Sequence, residues 1–397
     1  MKILFISQFL PYFPNTGGKI KTWEILKILA KKHQVYLACF VDKKEDLVYE
    51  KEVRKRCSMV KTFIQPIITQ AHQNLKSLAF LSLFSLKPFR AYKHYSPEMA
   101  EYLREISRKK RFDVIYFDHD VMLQYLEVIS LKPKTKIVYD EHNISSLAAW
   151  RNFRIESNWL RKLAYLLETV KWFFYERKYL FSLDQIFTIS EVDRKKLTKR
   201  GLTPEKISFL PTPMKLKPKF KFKQKKKNIL FIGLMSWKPN EDGFWWFYNQ
   251  VFPEIKQVFP EIDLVVVGAF PSEQIKKAAE ADKSLRVLGY VKNLLPFFEK
   301  ASVFIVPVRS GGGIRIKILT ALARGIPVVS TSVGAEGIVV RDAKEVLIAD
   351  EPKKFAKAVL AVLKKRKLAE SQSAEGISFI KKNYSVTKAA NVLEKVT

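Results

Sequence analysis

A chain of 397 residues, 47% hydrophobic and 28% charged, has room for two domains and the composition of a globular protein. Its 14 glycines, 18 prolines and 2 cysteines are too few for a collagen-like, disordered or disulfide-stapled chain, and the cysteine usage indicates a reducing compartment. The net charge of +32 predicts partners that carry negative charge, such as nucleic acid, anionic lipid or phosphorylated small molecules, although a basic proteome or solubility would also explain it. Because no apolar run reaches the length of a membrane span and residues 3–10 are too interrupted for a signal peptide, we expect a cytoplasmic protein.

The first half of the chain predicts a parallel sheet with helices between its strands. Lys2–Ile6 is a short apolar run typical of a strand buried on both faces, and a turn-rich loop and a helix over Lys19–Lys32 follow it. Further strands are predicted at Val35–Phe40, Val114–Phe117, Ile137–Tyr139 and Gln185–Ile189. Strands that alternate with helices are typical of an α/β domain, here residues 1–210.

A lysine-rich segment, residues 211–228, separates this half from a second one of the same kind. It holds eight lysines and no acidic residue, which predicts a solvated linker. Strands are then predicted at Ile229–Ile232, Leu264–Val267, Val303–Val306 and Pro327–Ser330, with helices at 244–258, 316–323 and 352–365. We therefore expect two Rossmann-like parallel-sheet domains that face a cleft, the second at 229–380, and a C-terminal helix at 381–397 that can cross back to the first domain.

Two glycine-containing segments lie directly before predicted helices and can bind an anion through free backbone N–H groups. Gly17 and Gly18 form the weaker signal, for which a plain turn is the alternative. The stronger is Ser310–Lys317, where three glycines follow a strand and two cations open the next helix. It lacks the Gly-Lys-Ser/Thr ending of a Walker A loop. The predicted phosphate site consists of Gly311, Gly312, Gly313, Ile314, Arg315 and Lys317.

Polar clusters end two of the predicted strands, at Asp118–Asp120 and at Asp140–Asn143. His142 can transfer a proton or bond to a sugar hydroxyl, and a structural histidine that caps a loop is the alternative. Neither His119 nor His142 has cysteine partners or the HExxH spacing, so we expect no metal site.

Two stretches, 75–89 and 159–175, combine aromatic with basic residues. Helices of this composition can lie in a membrane interface with anionic headgroups, and the net charge of +16 over residues 1–210 favours this interpretation. The alternative is that the aromatic side chains belong to the core.

Taken in order, these motifs resemble those of the GT-B glycosyltransferases of family 4 (glycosyl transferases group 1). Two further segments, Trp237–Asp242 and Val333–Gly337, resemble one bacterial branch found among cell-surface polysaccharide enzymes. The matching segments are the opening strand with Gly17 and Gly18, Asp140–Asn143, Thr188–Glu191, Phe231–Gly233, Val265–Gly268, Arg309–Lys317 and Gly325–Val329.

The resemblance implies a retaining transferase that moves a hexose from a nucleoside diphosphate sugar to a glycan or lipid-linked acceptor in cell-surface polysaccharide synthesis. It implies a donor held by the C-terminal domain, an acceptor held mainly by the N-terminal one, and no metal or other cofactor, so that protein cations and amides stabilise the departing diphosphate. The composition and the basic first half of the chain add the expectation that the enzyme is cytoplasmic or peripheral on the inner face of the membrane. His142, Arg315 and Lys317 are the implied catalytic residues. The implied donor-binding residues are Gly17, Gly18, Gly233, Lys238, Gly311, Gly312, Gly313, Ile314, Arg315, Lys317, Thr320 and Glu336.

The sequence departs from the family pattern at Gly312 and Thr320, where the family usually has two glutamates. The second glutamate normally binds the ribose hydroxyls, and Thr320 offers one hydroxyl in its place. Glu336 is the alternative group for the ribose, and Leu234 replaces an arginine, which leaves Lys238 for that role. A catalytically silent relative that binds a glycan or a partner enzyme is therefore the second hypothesis. A nucleic-acid binder is the third, but no nucleic-acid-reading module is recognisable and we expect no such partner.

Overall fold

The computed structural model of the protein describes residues 1–65, 82, 85–218 and 227–397. The chain forms two compact units, one of residues 1–213 together with 386–397 and one of residues 214–385. Each unit is built on a parallel sheet with helices between the strands, as predicted. Residues 219–226 of the expected linker and most of the stretch 75–89 lie outside the described residues. Thr212 and Met214, which fall in the expected linker, are buried rather than solvated.

The first unit has a seven-stranded sheet in the order β3-β2-β1-β4-β5-β6-β7. Its central strands are buried on both faces: Leu4 and Ile6 contribute to the core on one side of β1, and Ile3 and Phe5 to the core on the other. The strands are β1 Lys2–Ser7, β2 Gln34–Val41, β3 Met59–Ile64, β4 Val114–Asp118, β5 Lys136–Asp140, β6 Gln185–Thr188 and β7 Ile207–Phe209.

Helices cover both faces of this sheet. The first begins at Gly17, not at the predicted Lys19, because Thr16 is its N-cap and accepts a hydrogen bond from the Lys19 amide. The helices are α1 Gly17–Lys32, α2 Glu50–Arg54, α3 Phe89–Lys93, α4 Pro97–Lys109, α5 Ser145–Ile155, α6 Trp159–Leu180 and α7 Glu191–Thr198. In the described part of this unit, 3₁₀ helices lie at Lys44–Tyr49, Asp120–Val128 and Pro204–Lys206.

The second unit has a six-stranded parallel sheet in the order β10-β9-β8-β11-β12-β13. Its strands are β8 Asn228–Ile232, β9 Asp263–Val267, β10 Leu285–Val287, β11 Val303–Val306, β12 Val328–Ser330 and β13 Leu347–Ile348. Its helices are α8 Lys238–Gln250, α9 Phe252–Val258, α10 Glu273–Ala281, α11 Leu295–Lys300, α12 Ile316–Ala323, α13 Pro352–Lys364 and α14 Arg366–Asn383.

Two further predicted helices differ in their limits from the observed ones. The helix expected over 244–258 is two helices that meet at Val251, since Pro253 has no N–H to continue the hydrogen-bond ladder. Residues 381–383, expected in the C-terminal helix, end α14 instead. The last helix, α15 Val386–Leu393, packs on α1 through Ala389 and Leu393 in the first unit.

Among the described residues, no helix combines the length and the apolar composition that crossing a membrane requires.

Candidate functional site

A buried carboxylate at the end of β4 organises the polar cluster of the first unit. Asp118 is fully buried and accepts hydrogen bonds from Ser7 Oγ at 2.7 Å and from Thr22 Oγ1 at 3.0 Å. His119 Nδ1 and His142 Nε2 lie 3.0 and 2.9 Å from its two oxygens. Burial raises the pKa of Asp118, but the two histidines outweigh burial and hold the pKa well below its usual value. Asp118 is therefore an ionised carboxylate that fixes the orientation of both imidazoles.

The His142 ring stacks on the His119 ring, with centroids 3.7 Å apart. Burial, together with His119 and Lys21, lowers the pKa of His142 to about 4, so the imidazole is neutral at physiological pH. Since Nε2 donates to the Asp118 carboxylate, Nδ1 is the acceptor nitrogen. His142 is thus prepared to accept a hydrogen bond from a hydroxyl, with its tautomer set by Asp118.

A second carboxylate, Asp140 at the end of β5, forms a fully buried ion pair with Lys21 of α1. The Lys21 Nζ to Asp140 Oδ1 distance is 2.5 Å, and the hydroxyl of Tyr116 donates to the other oxygen at 2.9 Å. Lys21 also donates to the Glu141 carbonyl at 3.3 Å. This pair ties the first helix to the strand that leads into His142.

Glu141 lies between Asp140 and His142 in the sequence and differs from both in the hydrogen bonding of its side chain. Its side chain is buried, and among the described residues neither carboxyl oxygen has a hydrogen-bond partner. Burial, reinforced by the charge of Asp193, raises the pKa of Glu141 well above its usual value and so favours the neutral carboxyl. Two adjacent acidic residues thus differ in their surroundings, since within the described part of the chain Asp140 has a lysine partner and Glu141 has none of its own.

Three potential metal ligands, Asp118, His119 and His142, bring their ligand atoms within 4.8 Å of one another. However, Ser7 and Thr22 also donate to the Asp118 oxygens, and each imidazole bonds to the same carboxylate. Hydrogen bonds account for the whole cluster. The expectation that no metal is needed stays a prediction.

In the second unit, the glycine-rich loop between β11 and α12 is held from within by Arg315. Gly311 and Gly313 have φ of +102° and +79°, the left-handed region that glycine adopts without strain. Arg315 Nη1 donates to the carbonyls of Gly312 and Gly313, each at 2.5 Å, and the guanidinium lies 5.4 Å from the centroid of the Trp237 ring. Arg315 is only 6% exposed, so it shapes the loop at least as much as it presents charge to a ligand.

Lys317, in the first turn of α12, lies against the end of β8. Its Nζ donates to the Ile232 carbonyl at 2.8 Å and to Asn240 Oδ1 at 3.0 Å. Burial, with a smaller effect of Arg315, lowers the pKa of Lys317 to about 7. A Cβ at Gly233 would lie 2.6 Å from the Asn240 side chain, so only glycine fits beside this lysine contact. The structure thus brings together Gly233, Lys317 and the glycine-rich loop.

The other predicted donor residues have separate positions. Thr320 Oγ1 donates to the Ile316 carbonyl one turn earlier at 3.0 Å, and Lys238 is exposed in the first turn of α8. Glu336 follows β12, and Ile314 lies within the loop itself. Gly17 and Gly18 belong to the first unit, where a Cβ at Gly18 would lie 3.4 Å from His119 Nε2. Gly18 therefore borders the histidine cluster of that unit.

Sequence reasoning missed several residues of both clusters: Ser7, Lys21, Thr22, Trp237 and Asn240. A lysine and a threonine in an amphipathic helix are normally assigned to its solvated face, and nothing local to α1 distinguishes Lys21 from Lys19 or Lys27. Only the pairing of β1, β4 and β5 brings their partners Asp118 and Asp140 to the helix.

Comparison with known proteins gives concordant matches. Residues 226–365 match the family model described as Glycosyl transferases group 1. The chain is 25% identical over 99% of both sequences to an uncharacterized 44.6 kDa protein in the cps region of Klebsiella pneumoniae. It is 30% identical to the Rhizobium meliloti lipopolysaccharide core biosynthesis mannosyltransferase LpsB, over 32% of this chain and 38% of that one. In fold it is similar to Anabaena Alr3699/HepE in complex with UDP, with a TM-score of 0.68, 13% identity and coverage of 100% and 99%.

Proposed function

We propose that this protein, whose residues 226–365 match the glycosyl transferases group 1 model, is a GT-B glycosyltransferase that moves a hexose from a nucleoside diphosphate sugar to a glycan or lipid-linked acceptor. The transfer retains the configuration of the anomeric carbon and serves the synthesis of a cell-surface polysaccharide. The relative in a cps region and the named lipopolysaccharide mannosyltransferase support this assignment. The complexes of the Anabaena protein with UDP and with UDP-glucose support a uridine nucleotide as one donor to test first.

The observation that carries the proposal is the position of Lys317 in the first turn of α12, beside the glycine-rich loop. When the sugar leaves, negative charge grows on the diphosphate, and a cation and backbone amides fixed beforehand stabilise that charge more in the transition state than in the ground state. Among the residues that the structure describes, the acceptors of Lys317 are two neutral groups, the Ile232 carbonyl and the Asn240 side chain. A diphosphate is a stronger acceptor, and its charge favours the protonated lysine.

The first unit contributes the acceptor side of the proposed reaction. His142 is neutral, and its Nδ1 can accept a hydrogen bond from a sugar hydroxyl while Asp118 holds Nε2. No step requires a metal or another cofactor, because Arg315, Lys317 and the loop amides supply the positive charge. The proposal further includes the anionic inner face of the membrane as a partner of the first unit, and no nucleic acid.

A screen for nucleotide release tests the proposal. The protein is incubated with UDP-, GDP- and ADP-sugars, and the free nucleotide is quantified with and without a polysaccharide extract as acceptor. We expect release from one nucleotide class, stimulated by acceptor. If no nucleotide is bound or released, the silent-relative hypothesis, which Gly312 and Thr320 favour, replaces this one.

We expect His142→Ala to lower kcat/KM for transfer by about 100-fold or more, the usual contribution of a positioned hydrogen-bonding or proton-transferring group. The fold should persist, because Asp118 keeps its bonds to Ser7, Thr22 and His119. Initial rates at subsaturating donor measure the effect. His33→Ala, a change at a half-buried histidine beyond the end of α1, is the matched control and should retain full activity. Equal rates for both variants would remove His142 from the reaction.

We expect Thr320→Glu to tighten donor binding by about tenfold, since a carboxylate can accept from both ribose hydroxyls and one charged hydrogen bond contributes about 1.5 kcal/mol or more. Calorimetry with the cognate nucleotide measures the change, and Thr320→Gln is the neutral control of the same length. If Glu336 already binds the ribose, Thr320→Glu weakens binding by repulsion and Glu336→Ala abolishes it. If none of these variants changes the affinity, this pocket does not hold a ribose.

A further inference from the structure

The longest helix of the first unit exposes an apolar stripe. Trp159, Leu163, Leu166, Val170 and Phe173 recur every three or four residues along α6, so their side chains lie on one side of it. They are between 36% and 70% exposed, and Phe174 beside them is 62% exposed. Aromatic residues on the opposite side, such as Trp172 and Tyr175, are buried in the core. The helix therefore has two apolar sides, one buried in the core and one, the stripe, exposed.

The positively and the negatively charged side chains near this stripe occupy different positions. Lys162 and Arg177 lie at helical positions along the stripe, and Arg154 is exposed at the end of the neighbouring helix α5. The acidic residues of α6 bond inward: Glu168 accepts from the Phe89 amide at 3.0 Å, and Glu176 accepts from Arg200 at 2.7 Å. Apolar side chains flanked by cations thus remain on the exposed side, which complements an anionic surface with an apolar interior.

A groove of about 360 Å³ between α5 and α6 adjoins the stripe. Its polar lining groups already have partners: Thr169 donates to the Tyr165 carbonyl at 2.8 Å, and Arg200 donates to Ser146 at 3.0 Å and to Glu176. The rest of the groove lining is apolar and is suited to a hydrocarbon chain. The apolar walls are Leu147, Trp150, Val170, Phe173 and Phe174.

We propose that this α5–α6 face lies on an anionic lipid bilayer and that the groove takes up a lipid acyl chain. A helix with an exposed apolar stripe, cationic flanks and too little overall hydrophobicity to span a bilayer lies in the plane of the membrane interface. The inference rests on the proposed function, whose membrane partner it assigns to particular residues. Binding to vesicles needs no sugar nucleotide. A failure of the membrane proposal can therefore be distinguished from a failure of the transferase proposal.

Flotation with vesicles tests the docking. The full chain is mixed with vesicles of phosphatidylcholine alone or with phosphatidylglycerol. We expect binding only to the anionic vesicles, a loss of at least about tenfold for the double variant Leu163→Ser, Phe174→Ser, and release in high salt. Leu131→Ser is the matched control, because Leu131 is an exposed leucine of the same unit that has lysines nearby but lies outside the stripe. This variant should bind like the unchanged protein. Equal binding by the stripe variant and the control would overturn the proposal.

Fluorescence quenching tests the depth of insertion. Lipids with brominated acyl chains should quench the tryptophan emission of the bound protein, and Trp159→Phe should remove a substantial part of this quenching. Quenching that Trp159→Phe leaves unchanged would contradict insertion at the stripe. If the double serine variant instead converts a dimer to a monomer in sedimentation velocity, with vesicle binding unchanged, the face contacts protein and the lipid proposal is wrong.

Discussion

Replacing Lys317 with methionine is expected to lower kcat for nucleotide release by about 100- to 1,000-fold, as the loss of a fixed charge-stabilising donor typically does. The unfolding free energy should not fall, because a methionine of similar length avoids the cost of burying an ammonium group. Lys227→Met is the matched control: Lys227 also donates to a backbone carbonyl, that of Leu363, but lies away from the loop. Single-turnover rates with the donor found in the screen measure the effect.

The pH dependence of donor binding gives an independent check on Lys317. Its pKa is about 7 in the free protein, and a diphosphate favours the charged form. Donor affinity should therefore fall as the pH rises above 7, and binding at pH 8 should take up a proton, which calorimetry in buffers of different ionisation enthalpy detects. Lys317→Met should lose the proton uptake. Uptake that persists in this variant would show that another group titrates.

Lys21→Met is expected to destabilise the protein by about 3–5 kcal/mol, because it leaves the buried carboxylate of Asp140 without its cation. Tyr116 still donates to that carboxylate, but a neutral hydroxyl does not replace an ammonium group. The double variant Lys21→Met, Asp140→Asn should recover much of the loss, since no uncompensated charge remains. Urea unfolding followed by circular dichroism measures the three proteins.

The exposed ion pair between Lys32 and Glu394 serves as the control for this prediction. Lys32→Met should change the unfolding free energy by less than about 1 kcal/mol, as solvent-exposed pairs contribute little. A loss of that small size for Lys21→Met as well would contradict the view that the buried pair holds α1 against β5.

The sequence predicts the central strands well because strands buried on both faces are nearly continuous apolar runs. β1, β4, β8 and β11 are of this kind, and each has a clear pattern. Short edge strands such as β10 and β13 carry too few residues for a recognisable period, and they are defined by pairing with β9 and β12. The break between α8 and α9 was recognisable in principle from Pro253.

The candidate site was predictable only where a local pattern defines it. Three glycines between a strand and a helix predict the loop, and its position before α12 is as expected. The inward turn of the Arg315 guanidinium onto its own loop depends on the left-handed glycines and on Trp237, far earlier in the chain. Likewise, the burial of Lys21 depends on Asp140, 119 residues away. Such long-range partners are determined by the fold and leave no local signal.

The stereochemistry of donor cleavage shows directly whether this protein is a retaining nucleotide-sugar transferase. Proton NMR can follow the anomeric signal of the sugar released from a UDP-, GDP- or ADP-α-hexose, before mutarotation equilibrates the anomers, with Lys317→Met as the inactive reference. We expect the α-anomer to appear first, together with free nucleotide, and the Lys317 variant to release neither at a comparable rate. Initial release of the β-anomer would contradict retention, and no cleavage of any donor would contradict the assignment of this chain as an active nucleotide-sugar transferase.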